Sequence, residues 1–182
     1  VIVTIISCAL LGFFVYQKVN QSFLSMTKQN IKEMAQVAAT QIDVKELDKI
    51  EPGMEESEEY GELLTHLRTF LQGNSTEYIY IMGLDNNNVP YFIADADEEE
   101  PADIGESYDD DAPDMIKAFD GKATTDQDVT TDEWGSYLSG YAPVFDEDGK
   151  VVAIVGIDCG VGYIDKQLGD LASRIILFTV IG

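Results

Sequence analysis

Asp158 closes an otherwise apolar run, Val151 to Ile157, within the stretch WGSYLSGYAPVFDEDGKVVAIVGIDCG from Trp134 to Gly160. A carboxylate there either reaches the rim of a sheet or sits desolvated, and a desolvated carboxylate needs a partner. The β-branched and aromatic runs on either side of the Asp-Gly turn predict a β-hairpin. With Phe145 and Lys150 closing a loop of Asp146 to Gly149, the register sets Tyr141 opposite Ile154, Ser139 opposite Gly156 and Tyr137 opposite Asp158, all on one face. The partner of Asp158 is then a strand amide, a hydroxyl or a bound ligand.

Other chemistry is sparsely represented. Asp132 and Asp158 could form a carboxylate pair for acid–base work, but no activated serine or cysteine, histidine ligand set or glycine-rich phosphate loop accompanies them. The stretch therefore reads as non-catalytic, and no cofactor is expected. His66, the only histidine, falls beside an apolar stripe and reads as a boundary residue. Asp95, Asp97 and Glu99 alternate like part of a calcium loop, but the glycine and distal glutamate that such a loop needs are not at the required spacing. A net charge of -23 leaves no basic surface for nucleic acid or for anionic lipid headgroups. The folded region holds one thiol, Cys159, since Cys8 lies in an apolar run; no internal disulfide is expected, and stability must come from the core.

The elements that would position Asp158 follow from periodicity. Residues 1–16 are apolar and read as part of a transmembrane helix, and 174–182 as the start of a second. Between them, 17–50 keeps helical spacing and predicts one amphipathic helix ~50 Å long. Glu51-Pro52-Gly53 breaks it, and a second helix follows over 54–72 with Gly73 as its C-cap. Strands are predicted at Glu77 to Leu84 and Val89 to Ala94, joined by Asp85 to Asn88. An acidic loop from Asp95 to Asp114 runs into a short helix, Ala112 to Gly121, then a strand from Thr124 to Thr131 feeds the hairpin, and an exit helix occupies 161–173. Phe23, Met26 and Met34, in the membrane-proximal part of the long helix, predict a homodimer. The whole is an α+β domain over 17–173, with a five-stranded antiparallel sheet at 77–160.

YIYIM at Tyr78, FIADADEEEPADIGESY at Phe92, AFDGKAT at Ala118 and TDEWGSYLSGYAPVFDEDGKVVAIVGID at Thr131 together resemble the Cache type of extracytoplasmic sensor domain, a PAS-like fold of bacterial and archaeal chemoreceptors and sensor histidine kinases. A single module fits, since one sheet is present. The resemblance implies a membrane receptor with its sensor outside the cytoplasm, a small ligand between sheet and lid, and an aspartate at the end of the last strand holding the ligand's amino group. Asp158 matches that aspartate. Tyr80, Trp134 and Tyr137 match the pocket aromatics, with Ser139 beside them on the hairpin face. The sequence departs from the amino-acid-binding subset in having no arginine between Ser75 and Gly160, only Lys117, Lys122 and Lys150. The expectation is an amine-bearing, amino-acid-like or cationic ligand in a cavity of a few hundred Å3 beside Asp158. The alternatives are a divalent-cation sensor using the acidic loop, and a spacer whose sheet face is filled by its own side chains.

Overall fold

The computed structural model describes residues 2–71, 76–110, 112–132 and 135–181. The chain enters through α1 (Ile2–Ala39), turns through α2 (Val44–Leu47) into α3 (Glu58–Arg68), and continues as a 3-10 turn, Thr69–Leu71. Strands β1 (Tyr78–Leu84) and β2 (Pro90–Asp95) precede α4 (Pro113–Ala118), and β3 (Thr124–Thr125), β4 (Thr130–Asp132), β5 (Gly135–Phe145) and β6 (Val151–Gly160) lead into α5 (Val161–Ile181). The sheet order is β2-β1-β6-β5-β3, with β4 also paired to β5, and these pairings are antiparallel.

The alternation of side chains along each strand divides the interior in two. On one face Ile79, Ile81, Ala142, Val144, Ala153, Val155 and Ile157 pack with Ala35, Ala38 and Ala39 of α1, Leu47 of α2, and Tyr60 and Leu67 of α3. Each large apolar side chain buried there contributes about 1.5–3 kcal/mol relative to exposure. The other face carries Tyr80, Met82, Phe92, Tyr141 and Ile154 under Ala102, Tyr108 and Met115 of the segment that follows β2. A third cluster of Ile31, Leu138, Cys159 and Ile164, with Phe23, Leu24 and Leu168 packed against it, seats α5 on α1.

Four expectations are corrected. The long helix ends at Ala39, not 50, because Asp43 caps α2 by accepting from Lys45 N at 2.9 Å, and so competes with continuation of the helix. The second helix starts at Glu58, where Ser57 Oγ accepts from Tyr60 N, and the Gly73 cap lies outside the described residues. The sheet has six strands, not five, among the described residues, because Thr124–Thr131 divides at Asp126. The Asp126 carboxylate accepts from Ser139 N at 3.0 Å, in place of a strand carbonyl, and 126–129 leaves the edge with Gln127 O bonded to Lys28 of α1. Finally, no helix among the described residues is long and apolar enough to cross a membrane. The flanking transmembrane helices expected at 1–16 and 174–182 do not form separate elements: the first run continues into the 38-residue α1 and the second is the last part of α5.

The hairpin register is also revised. Its loop holds Asp146 to Lys150, with Asp146 Oδ1 accepting from Asp148 N and Lys150 N, and a bulge falls between Val144 and Phe145. Each change shifts the register by one residue. Their sum pairs Tyr141 with Gly156, Ser139 with Asp158 and Tyr137 with Gly160, and it leaves every side chain on its predicted face.

Of the three residues expected at a dimer contact, Phe23 and Met34 pack on their own chain and Met26 stays 62% exposed.

Candidate functional site

Asp158 lies on β6 between Tyr78 of β1 and Ser139 of β5, and is 8% exposed. Glycine makes its surroundings possible. Tyr80 stands opposite Gly156, and a Cβ there would come within 2.1 Å of the Tyr80 ring, so the ring lies across the strand and delivers its hydroxyl to Asp158 Oδ1 at 3.0 Å. Tyr78 meets Tyr137 edge-on at 5.3 Å, while Phe92 bridges Tyr80 at 5.8 Å and Tyr108 at 6.3 Å. Together with Met115, Asp95 and Asp97, these residues line a pocket on the lid side of the sheet.

Burial, and then the charge of Asp158, hold the Tyr80 phenol well above its usual pKa. The Tyr137 phenol is also raised, by burial first and then by its hydrogen bond with Tyr78. Both remain neutral donors. Asp95 and Asp97, although in the wall, bind loop amides: Asp95 Oδ1 accepts from Asp97 N, Asp95 Oδ2 from Ala102 N, and Asp97 Oδ1 from Glu99 N. No lysine, arginine or histidine lines the pocket among the described residues. Three carboxylates and five aromatic rings make it a setting for positive charge.

The cavity is small. The centre of a water-sized sphere has about 30 Å3 to occupy, and the whole void out to the mouth is about 410 Å3. The expected few hundred Å3 beside Asp158 is therefore not open, and this space admits about one water. Anything larger enters only if Tyr80 or the lid yields.

Of the sequence-derived site residues, Tyr80, Tyr137 and Asp158 come together in the wall. Ser139 shares their face but is 4% exposed and bonds to Asp126 instead of lining the pocket. Trp134 lies outside the described residues. Tyr78, Phe92, Tyr108 and Met115 were missed as site residues. Tyr78 was within reach, since it stands two residues before Tyr80 on the same strand face, whereas Tyr108 follows a loop with no period to read. His66 is half-buried, edge-on to Phe70 at 5.7 Å, in a separate groove with Glu46, Glu59 and Glu62. Among the described residues no group of three or more His, Cys, Asp or Glu is placed to hold a metal ion.

The sequence matches no protein-family model and no curated protein. Solved structures do resemble the fold. The Escherichia coli DcuS sensor domain superposes with a TM-score of 0.55 at 16% identity, covering 79% of this chain and 98% of that one. The Campylobacter jejuni chemoreceptor Tlp3 gives 0.60 for its ligand-binding domain in complex with L-valine and 0.61 for its sensory domain with isoleucine bound, each at 13% identity and covering 91% of this chain. This chain spans 65% of the Tlp3 domain. The chain thus has the fold of chemoreceptor and histidine-kinase sensor domains, the Cache-type architecture that its sequence resembles.

Proposed function

We propose that residues 17–173 form the extracytoplasmic ligand-sensing domain of a membrane signal-transduction receptor, and that the ligand is a small amine-bearing or cationic molecule held between sheet and lid. The observation that carries this reading is the Asp158 carboxylate among Tyr78, Tyr80, Phe92, Tyr108 and Tyr137 with no basic residue in the wall. Each ring facing an ammonium contributes ~0.5–2 kcal/mol and the desolvated charge pair adds more. The amino acids bound to Tlp3 carry such a group. Trp134, two residues beyond β4, is assigned to the same pocket, and the receptor acts as a homodimer. Exposed Val15, Met26 and Val37, which recur every eleven residues along one line of α1, support a second copy there.

A thermal-shift screen of the protein against amines, amino acids, carboxylates and divalent ions tests the ligand class. Saturation at 100-fold over Kd adds ~2.7 kcal/mol of stability. An amine should give that shift, Asp158→Asn and Trp134→Ala should each abolish it, and neutralising Glu98, Glu99 and Glu100 should only weaken it in a salt-dependent way. Loss on neutralising the lid with retention in Asp158→Asn would make this a cation sensor of the acidic loop. One observation favours the spacer reading, the 30 Å3 left beside Asp158. A protein that no compound stabilises would establish it.

A further inference from the structure

The pocket shares two of its walls with a second, open void. Tyr78 and Asp97 line both the Asp158 pocket and a groove of about 520 Å3 that also has Arg68, Glu77, Glu98 and Glu99 along it. Tyr78 belongs to β1, held in the sheet by its pairing with Asp158 and braced by Tyr137. Asp97 belongs to the segment after β2 that covers the pocket. The partition between groove and pocket therefore has one fixed side and one side that depends on how 96–102 is held.

Two devices hold it. One is internal, the Asp95 carboxylate on Asp97 N and Ala102 N. The other comes from a different element: Arg68, the last residue of α3, donates from Nε to Ala96 O at 3.0 Å and from Nη2 to Asp97 O at 3.3 Å. Its ion pair with Glu98, at 3.5 Å with the Glu98 side chain 76% exposed, contributes little. The hold is the planar fork on two successive carbonyls, which a lysine cannot reproduce.

We propose that the seam between Tyr78 and Asp97 is the entrance to the Asp158 pocket and that Arg68 is its clasp, a positioning residue that sets how readily the lid side opens. This rests on the amine-sensing reading for what passes through, but the clasp itself does not depend on a ligand. Arg68 has a second effect on the same path. It is the one positive side chain among the described residues of a groove that otherwise carries Glu77, Asp97, Glu98 and Glu99, so it opposes the pull of those acids on an approaching cation.

The two effects separate by substitution in the full chain. Arg68→Lys keeps the charge and loses the fork, whereas Arg68→Gln loses both. Amide hydrogen exchange without ligand should show Asp97, Glu99 and Ala102 exchanging about 5- to 30-fold faster in both variants, with β6 amides unchanged. Stopped-flow binding of tetramethylammonium and of ethylammonium should show faster dissociation in both, with a higher association rate at low salt, beyond that of the lysine variant, only in Arg68→Gln. Equal exchange at 96–102 in all three proteins overturns the clasp. Faster exchange with unchanged amine rates overturns the entrance. Faster exchange in a protein that binds neither amine supports the clasp and overturns the amine reading.

Discussion

Burial raises the pKa of two carboxyls in this domain, Asp95 and Asp126, against the backbone N–H groups that favour their charged forms. A carboxyl whose folded pKa lies above its unfolded value contributes stability that is fully present below the unfolded pKa, about 3.9 for aspartate, and is lost as pH rises through the folded pKa. Asp126 is the better test, since Asp95 also shapes the lid. Urea unfolding of wild type and Asp126→Asn from pH 4 to 7 should show the wild type losing stability relative to the variant as pH rises. A difference that stays constant with pH would mean that the Asp126 carboxyl is not raised. Asp126 was invisible in the sequence as a structural residue because Thr124 to Thr131 reads as one strand, and only the fold shows its carboxylate replacing a carbonyl opposite Ser139. Asp158 was legible for the opposite reason: a charge that ends an apolar strand must be met by water at the rim, by a neighbouring strand or by a ligand.

At the scale of elements, β5 separates the site from the helices. Tyr137, Ser139 and Tyr141 face the lid side, while Leu138, Gly140 and Ala142 face the helix layer, and at Gly140 α1 comes so close that an added Cβ would lie 2.8 Å from Ile31 C and Lys32 N. Those are backbone atoms, which cannot rotate away, so Gly140→Ala should destabilise the fold by ~1–3 kcal/mol as overpacking does. Gly162→Ala, with nothing within 4 Å in α5, should be neutral or stabilising by up to ~1 kcal/mol. Urea midpoints compare them, and equal midpoints would show that α1 shifts away from β5 without cost. The two faces of β5 were readable in advance because an alternating pattern needs no contacts to be seen. The register was not, since the bulge at Val144 and the five-residue turn carry no signal beyond Asp-Gly. The face assignment survived only because the two one-residue errors summed to the period of the strand.

On the scale of the whole molecule, the order of helices, hairpins and lid was legible from periodicity and turn residues, and the fold agrees with it. The closing of the pocket was not, because volume is left over from packing and no residue type encodes it. What the assembled fold adds is a short path from Asp158 outward. β6 ends at Gly160 and α5 begins at Val161 with no linker, and α5 then packs on α1 through Ile164 and Leu168 against Ile31, Phe23 and Leu24. We propose that a ligand at Asp158 biases the setting of α5 against α1. It can do so only by its differential affinity for two arrangements, and the expected displacement is on the order of 1–2 Å, as for helix shifts at other interfaces. With Cys8 and Cys159 replaced by serine, paired cysteines at Leu24 and Leu168, and at neighbouring turns of the two helices, should change their rate of disulfide formation when an amine that stabilises the protein is added. The change should vanish in Asp158→Asn. Rates that stay the same at every pair, with the amine demonstrably bound, would place the output of this domain elsewhere than in the α1–α5 contact.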